Sequence, residues 1–118
     1  ELSFVSPPRS LFDTIFKLQI QGYQVVLAHP ERYQYFGMKD YEDLVNRGVF
    51  LQINLLSLLD YYSAYVKEKT KELISQEMVS FIGTDCHHIK HAGLYEKCQK
   101  LKSWHDLYAS GKLLNSSL

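Results

Sequence analysis

The chain has 118 residues, and its 13 Lys and Arg side chains balance 13 Asp and Glu side chains. This length predicts one small domain, and the zero net charge gives no sign of a nucleic acid or an anionic membrane as partner. Apolar runs are about half the roughly 20 residues that a membrane span needs, and the N-terminus does not resemble a signal peptide. Two cysteines without other secretory signs indicate reduced thiols and a cytoplasmic setting.

Short β-branched segments alternate with amphipathic ones along the chain. The end of a strand is predicted at residues 1–5, whole strands at 24–28, 49–53 and 78–82, and helices at 9–22, 40–46, 55–73 and 94–108. In the last helix the predicted apolar stripe includes Leu94, Cys98, Leu101 and Tyr108. Strands that alternate with helices produce parallel sheets with crossover helices. The sequence therefore predicts an α/β fold in a single domain covering residues 1–118.

Polar side chains follow the predicted strands. Glu1 lies in the first strand segment, His29 and Arg32 follow the second, and Asp85 and His87 follow the fourth. In parallel α/β folds function gathers at the carboxyl ends of the strands, which meet at one edge. We therefore expect these side chains to form the functional site.

The segment after the last strand suits a metal ion. Alternate side chains of an extended segment point the same way, so Asp85 and His87 can converge while Cys86 points elsewhere. Zn²⁺, Mn²⁺ and Fe²⁺ accept such mixed carboxylate and imidazole ligation. A solvated histidine-rich loop is the alternative. His29 and Glu1 at neighbouring strand ends favour the metal site.

A cysteine phosphatase is the competing catalytic idea. Its thiolate lies in a loop that closes with an arginine six residues after the cysteine, but that position is Ala92 for Cys86 and Trp104 for Cys98. The arrangement is absent from the sequence. Cys98 is predicted to be a small core residue and Cys86 a buried spacer.

Arg32 is one of three arginines in the chain. A planar guanidinium can hold two phosphate oxygens at once, whereas the alternative is a salt bridge to Glu31 or to a helix carboxylate. The strand-end location favours the phosphate interpretation. Tyr33 is expected to flank the pocket. Residues 88–91 are expected to form a loop that contacts an anionic substrate or supports the ligands, with an ordinary exposed loop as the alternative.

Four segments together resemble a known family. In order and spacing they are similar to the second half of the polymerase-and-histidinol-phosphatase (PHP) family, and within it to bacterial manganese-dependent protein tyrosine phosphatases of capsule and exopolysaccharide synthesis. The segments are Glu1-Leu-Ser-Phe4, Leu27-Ala-His-Pro-Glu-Arg-Tyr33, Leu51-Gln-Ile-Asn54 and Gly83-Thr-Asp-Cys-His-His88. The second is the most specific of the four.

The resemblance implies a distorted (β/α)₇ barrel with three metal ions at the carboxyl ends of its strands. By the matching positions, Glu1 is a bridging ligand, His29 is a ligand, and Asp85 and His87 are the closing pair. Arg32 has the catalytic role of binding the phosphoryl group while a water molecule activated by the metals attacks phosphotyrosine. The implied metal is Mn²⁺ first, with Zn²⁺, Fe²⁺ or Mg²⁺ as alternatives.

Two departures from the family pattern carry expectations of their own. Related phosphatases have a second phosphate-binding arginine shortly after the Asp-x-His pair, and here Lys90 or His91 stands in its place as a substrate-binding residue. The family's opening His-x-His motif and middle ligands are not in this chain. The resemblance thus implies that residues 1–118 are the C-terminal portion of one PHP barrel, inactive alone and able to self-associate through unclosed sheet edges.

Three functions remain open from the sequence. The first is a phosphatase whose partner is a phosphotyrosine protein, namely a bacterial tyrosine kinase that controls polysaccharide export. The second is a PHP phosphoesterase that acts on a small ester such as histidinol phosphate. The third is a non-catalytic remnant that binds a partner or another copy of itself.

Overall fold

Three strands and five helices alternate along the part of the chain that the structure describes. The structure is a computed structural model, and it describes residues 1–117. The strands are β1 (Val26–Ala28), β2 (Phe50–Asn54) and β3 (Val79–Gly83). The helices are α1 (Leu11–Ile20), α2 (Met38–Asn46), α3 (Ala64–Ser75), α4 (Ile89–Gln99) and α5 (Lys102–Ala109). Short 3₁₀ segments cover Pro30–Arg32, Leu55–Leu58 and Asn115–Ser117.

The strands form one parallel sheet in the order β1-β2-β3. Val26 pairs with Phe50, and at the other end Asn54 pairs with Gly83, so the carboxyl ends of all three strands lie at the same edge. A helix connects each strand to the next, as parallel neighbours require. The prediction of a parallel α/β fold is confirmed.

The core is built around the central strand. Leu51 and Ile53 of β2 are fully buried, because β2 has a strand on each side and helices pack over the sheet. Tyr41 of α2 and Leu73 of α3 are also fully buried in this core. These positions fix the sheet beneath the strand ends that carry the polar side chains.

Residues with known helix-end preferences lie at both ends of α2. Asp40 lies in the first turn of α2, where its carboxylate accepts a hydrogen bond of 2.8 Å from the Gly37 backbone N–H. The helix starts at Met38, two residues before the predicted start. Gly48 has a φ of +81°, a conformation that favours glycine and lets the chain leave the helix and enter β2 directly.

The prediction of a strand at residues 1–5 is wrong. This segment is irregular in the structure, and β1 forms the edge of the sheet among the described residues. Two tyrosine hydroxyls hold the segment: Tyr33 accepts a hydrogen bond from the Leu2 N–H, and Tyr35 donates one to the Ser3 carbonyl. Without a neighbouring strand the backbone has no ladder to join.

The third predicted helix starts later than predicted. Leu55–Leu58 forms a buried 3₁₀ turn, and α3 begins only at Ala64. Ser63 sets this start, because its hydroxyl accepts a hydrogen bond of 3.1 Å from the Val66 N–H. The apolar side chains before Ser63 therefore pack in the core from a turn rather than from a helix face.

The last predicted helix is two helices. The chain is extended at Leu101, with φ −77° and ψ 143°, and this separates α4 from α5. Tyr108 is 72% exposed and so does not belong to the predicted buried stripe, whereas Cys98 is fully buried as expected. Residues 89–91, predicted as loop, form the first turn of α4.

No helix within residues 1–117 combines the length and the apolar character that crossing a membrane would require.

Candidate active site

The polar residues singled out in the sequence lie at the carboxyl edge of the sheet. His29 follows β1 directly, Asn54 is the last residue of β2, and Asp85 lies two residues beyond β3. The parallel register brings these three positions to one edge. The three strand ends therefore form one candidate site.

The backbone at two of these positions adopts a conformation that non-glycine residues rarely adopt. Within residues 1–117, positive φ values at non-glycine residues occur at His29 (38°), Glu77 (55°) and Asp85 (47°). A left-handed residue at or just beyond a strand end turns the chain sharply, so the side chain is presented at that end. Such strained residues concentrate at functional sites, and here two of the three carry candidate ligand side chains.

His29 and Glu1 form the first donor pair. The imidazole Nε2 lies 3.7 Å from Glu1 Oε1, and the His29 side chain is buried while that of Glu1 is 65% exposed. His29 Nδ1 is buried without a hydrogen-bond partner among the described residues. Burial lowers the pKa of His29 from its ordinary value, against the opposing effects of Glu1 and Asp85. The imidazole is therefore neutral near pH 7, which is the form that binds metal ions.

Asp85 and His87 form the second donor pair. Asp85 Oδ1 lies 3.5 Å from His87 Nδ1, and the same nitrogen lies 2.7 Å from the Asp85 backbone oxygen. Because a carbonyl oxygen only accepts, Nδ1 carries the proton and donates it, which leaves the lone pair of a neutral ring on Nε2. The His87 side chain is 73% exposed, so this nitrogen is open to a ligand. The two side chains lie close together; that they converge on one metal ion stays a prediction.

Arg32 lies beside the second pair. Its Nη1 lies 3.9 Å from Asp85 Oδ2, and both side chains are 29% exposed. The predicted alternative, a salt bridge to Glu31, is not formed: Glu31 Oε1 instead accepts hydrogen bonds from the Asn54 N–H at 2.9 Å and from the Ser57 hydroxyl at 2.5 Å. Arg32 therefore faces the candidate site rather than its sequence neighbour.

Two buried residues that the sequence did not single out support the site. Asn54 is 1% exposed and donates a hydrogen bond of 3.2 Å from Nδ2 to Asp85 Oδ2. Glu31 is fully buried, and burial raises its pKa to about 7, although its bonds to Ser57 and Asn54 act in the opposite direction. A signal existed for Asn54, because its amide ends a buried strand at the same edge as the other polar residues. The burial of a carboxylate after a proline carries no comparable signal.

Three other expectations about this region have mixed outcomes. Tyr33 is fully buried, and its ring centroid lies 5.6 Å from that of His29, so it packs beside the candidate site; that it flanks the substrate pocket stays a prediction. Cys86 is exposed, with its Sγ 3.5 Å from the His88 carbonyl oxygen, so the prediction of a buried spacer is wrong. His91 is only 6% exposed, and its Nε2 lies 2.7 Å from the Tyr61 hydroxyl. Its role as a substrate-binding residue stays a prediction.

The donor chemistry fits a divalent cation, but as two incomplete sets. Within residues 1–117 no three His, Cys, Asp or Glu side chains are grouped closely enough to hold a metal ion by themselves. Imidazole and carboxylate groups stand together in each pair, which is the mixed ligation that Mn²⁺, Zn²⁺ and Fe²⁺ accept. The unpartnered, buried Nδ1 of His29 shows that folding alone does not satisfy this ring.

Two known proteins are similar to most of this chain. The chain is 29% identical over 92 residues to the tyrosine-protein phosphatase YwqE of Bacillus subtilis, covering 76% of this chain and 36% of YwqE. It is 28% identical over 97 residues to CapC of Staphylococcus aureus, covering 77% of this chain and 38% of CapC. This chain thus spans less than half the length of these relatives.

A solved structure gives the same result at the level of the fold. The match has a TM-score of 0.75 and 26% identity, and it covers 90% of this chain and 46% of the solved chain. That structure is from work on YwqE of Bacillus subtilis and CpsB of Streptococcus pneumoniae, described as metal-dependent tyrosine phosphatases. The CpsB/CapC family of capsular polysaccharide synthesis matches residues 1–104, and this protein therefore belongs to that family.

Proposed function

We propose that this chain forms the C-terminal part of the active site of a metal-dependent protein tyrosine phosphatase of capsular or exopolysaccharide synthesis. The observation that carries the proposal is the convergence of His29, Arg32 and Asp85 at one sheet edge. Membership of the CpsB/CapC family and the likeness to metal-dependent tyrosine phosphatases support it.

Arg32 is the phosphoryl-binding group in this proposal. Among residues 1–117 no hydrogen bond from its guanidinium to a protein acceptor is formed, and its ion-pair contact with Asp85 Oδ2 spans 3.9 Å. Five N–H donors at a partly exposed position thus lack close acceptors. A dianionic phosphoryl group suits them, because the planar fork of a guanidinium can hold two oxygens at once.

The metal ligands in this proposal are Glu1, His29, Asp85 and His87. When bound, divalent cations lower the pKa of coordinated water and withdraw charge from phosphoryl oxygens. We propose Mn²⁺ as the first choice because the chain resembles manganese-dependent phosphatases, although Zn²⁺ and Fe²⁺ accept the same donors. Donors outside this chain must complete the site, because these four residues stand as two separate pairs.

The chain's own residues supply orientation and the correct protonation states. His29 stays neutral because burial lowers its pKa, and His87 presents Nε2 because Nδ1 donates to the Asp85 carbonyl. Asn54 fixes one oxygen of Asp85 and leaves the other toward His87. Arg32 orients the phosphoryl group beside them. Groups held ready in this way lose little freedom when the substrate binds.

The proposal extends to the setting of the protein. Residues 1–118 are the C-terminal portion of one barrel of the PHP type, the substrate is a phosphotyrosine protein such as a bacterial tyrosine kinase, and the site works in the cytoplasm. The 118-residue chain alone is inactive because its donor pairs are incomplete. If the purified 118-residue chain hydrolyses phosphotyrosine, and His29→Ala abolishes that activity, the proposal that the chain alone is inactive is wrong.

The test uses the complete gene product, with a phosphotyrosine peptide, a phosphoserine peptide and histidinol phosphate as substrates. We expect hydrolysis of the phosphotyrosine peptide to stop on chelation and to return with Mn²⁺. Arg32→Lys should lower kcat/KM by roughly 100-fold, the scale of a lost positioning contact. Arg47→Lys is the matched control, because Arg47 stacks on Phe12 away from the site.

Each alternative has its own outcome. Faster hydrolysis of histidinol phosphate than of the phosphopeptide would favour a small-ester phosphoesterase. The absence of hydrolysis of all three substrates, with no metal bound, would favour a non-catalytic binding protein. If Arg32→Lys and Arg47→Lys lower kcat/KM equally, Arg32 does not bind the phosphoryl group.

A further inference from the structure

The guanidinium of Arg32 lies between two aromatic rings. Its Cζ is 4.5 Å from the centroid of the Phe4 ring and 4.6 Å from the centroid of the Tyr62 ring. Arginine stacks well on aromatic faces, because the ring quadrupole attracts the cation and the two planar groups share a large contact area. Ring contacts of this kind leave the N–H donors at the edge of the guanidinium for other partners.

The two rings come from separate parts of the chain and are themselves held in place. Phe4, in the N-terminal segment, stacks on Tyr33 with ring centroids 5.5 Å apart. Tyr62 lies between the Leu55–Leu58 turn and α3, and it packs edge-on against Tyr61 at 5.1 Å. Neither ring belongs to the polar groups that were singled out as ligands or as substrate contacts.

Tyr62 is also connected to the metal-ligand side of the site. Its hydroxyl is 3.5 Å from Asn54 Nδ2, and the same amide nitrogen is 3.2 Å from Asp85 Oδ2. Asn54 is in turn held by the bond from its backbone N–H to Glu31. The ring of Tyr62 thus contacts the guanidinium of Arg32, the proposed phosphoryl-binding group. Its hydroxyl reaches Asn54, which orients the candidate ligand Asp85.

We propose that Tyr62 and Phe4 are positioning residues that clamp the Arg32 guanidinium so that its edge donors meet the phosphoryl group. The proposal rests on the proposed function, in which Arg32 binds phosphate. An unclamped arginine samples many rotamers and loses that freedom on binding, whereas a clamped one has lost it during folding. The clamp therefore acts on phosphate affinity through the geometry of Arg32.

The clamp predicts a difference between two substitutions at one position. Tyr62→Phe keeps the ring on Arg32, whereas Tyr62→Leu removes the ring and keeps apolar bulk. With inorganic phosphate as a competitive inhibitor of the complete gene product, Tyr62→Leu should raise the inhibition constant about tenfold, the scale of one partly desolvated cation–π contact. Tyr62→Phe should stay near the wild-type value. Tyr23→Leu, at an exposed position, is the matched control.

A second readout does not depend on activity. In the ¹H–¹⁵N spectrum of the complete gene product, the Arg32 Nε–H resonance should be shifted by the ring currents of both rings. Tyr62→Leu should move this resonance toward the position of an unstacked arginine, and Tyr62→Phe should not. Phe4→Leu, at a partly exposed position, should have the same two effects as Tyr62→Leu and serves if the latter fails to fold.

The outcomes separate this inference from the proposed function. If the wild-type protein does not hydrolyse phosphotyrosine yet Tyr62→Leu moves the Arg32 resonance and weakens phosphate binding by calorimetry, the clamp stands and the proposed activity fails. If Tyr62→Leu and Phe4→Leu leave both the Arg32 resonance and phosphate affinity at wild-type values, the clamp is wrong. Equal losses for Tyr62→Phe and Tyr62→Leu would also contradict it, because the ring would then be irrelevant.

Discussion

Glu31 makes the stability of the protein depend on pH, and a single substitution can remove this dependence. The carboxyl group is fully buried, one oxygen accepts from Asn54 and Ser57, and the other oxygen has no hydrogen-bond partner among the described residues. Burial penalises the charged form and raises the pKa to about 7 from 4.5. Glu31→Gln retains an oxygen toward Asn54 and Ser57 but carries no charge at any pH.

The size of the effect follows from the two pKa values. The folded state holds the Glu31 proton above pH 4.5, whereas the unfolded state has released it, so stability is full below pH 4.5 and falls as the pH rises through about 7. The interval from 4.5 to about 7, at about 1.36 kcal/mol per pKa unit, corresponds to about 3 kcal/mol. Between these limits the free energy of unfolding should fall by that amount in the wild type relative to Glu31→Gln.

Urea denaturation at a series of pH values from about 4.5 to about 8 measures this difference. The quantity of interest is the gap between the two free energies of unfolding, which should widen in favour of Glu31→Gln as the pH rises. Glu42→Gln, at an exposed position on α2, is the matched control and should follow the wild-type curve. If the gap between wild type and Glu31→Gln stays constant over the whole range, the pKa of Glu31 is not raised in the folded state.

Two further substitutions test the packing of the fold, and a third tests self-association. Leu73→Ala, at a fully buried position, should lower the free energy of unfolding by about 2–5 kcal/mol in urea titrations; a loss below about 1 kcal/mol would contradict its place in the core. Ser63→Ala removes the hydroxyl that caps α3 and should cost about 1 kcal/mol, whereas no loss would mean that this cap is not formed. Phe16→Glu changes a 62% exposed ring on α1 and should reduce self-association of the 118-residue chain in sedimentation equilibrium. Concentration-independent monomer in the wild type would rule out the association.

The position of the candidate site was predictable because parallel topology brings strand ends together. His29 and Asp85 follow short apolar strands, so the alternation of strands and helices already places them at one edge. The structure adds that both residues have positive φ values, which no sequence pattern announced. It also adds Asn54, whose contact with Asp85 depends on the pairing of β2 with β3.

The errors have a common physical origin in tertiary contacts. Residues 1–5 have strand propensity but no neighbouring strand within the described chain, so they are held by tyrosine hydroxyls instead. The apolar residues before Ser63 match a helical period, yet the Ser63 cap starts the helix later. Leu101 continues an apolar stripe in sequence, while its extended backbone starts a second helix. The helix and strand propensities of single residues carry no information about these tertiary contacts.

The metal content of the complete gene product is the most direct test of whether His29 and Asp85 bind metal ions. Inductively coupled plasma mass spectrometry would compare the wild type with the double variant His29→Ala/Asp85→Ala, and Glu42→Gln would serve as the control. We expect a transition metal in the wild type and in the control, and a loss of at least one ion per chain in the double variant. Equal metal content in the wild type and the double variant would contradict this expectation.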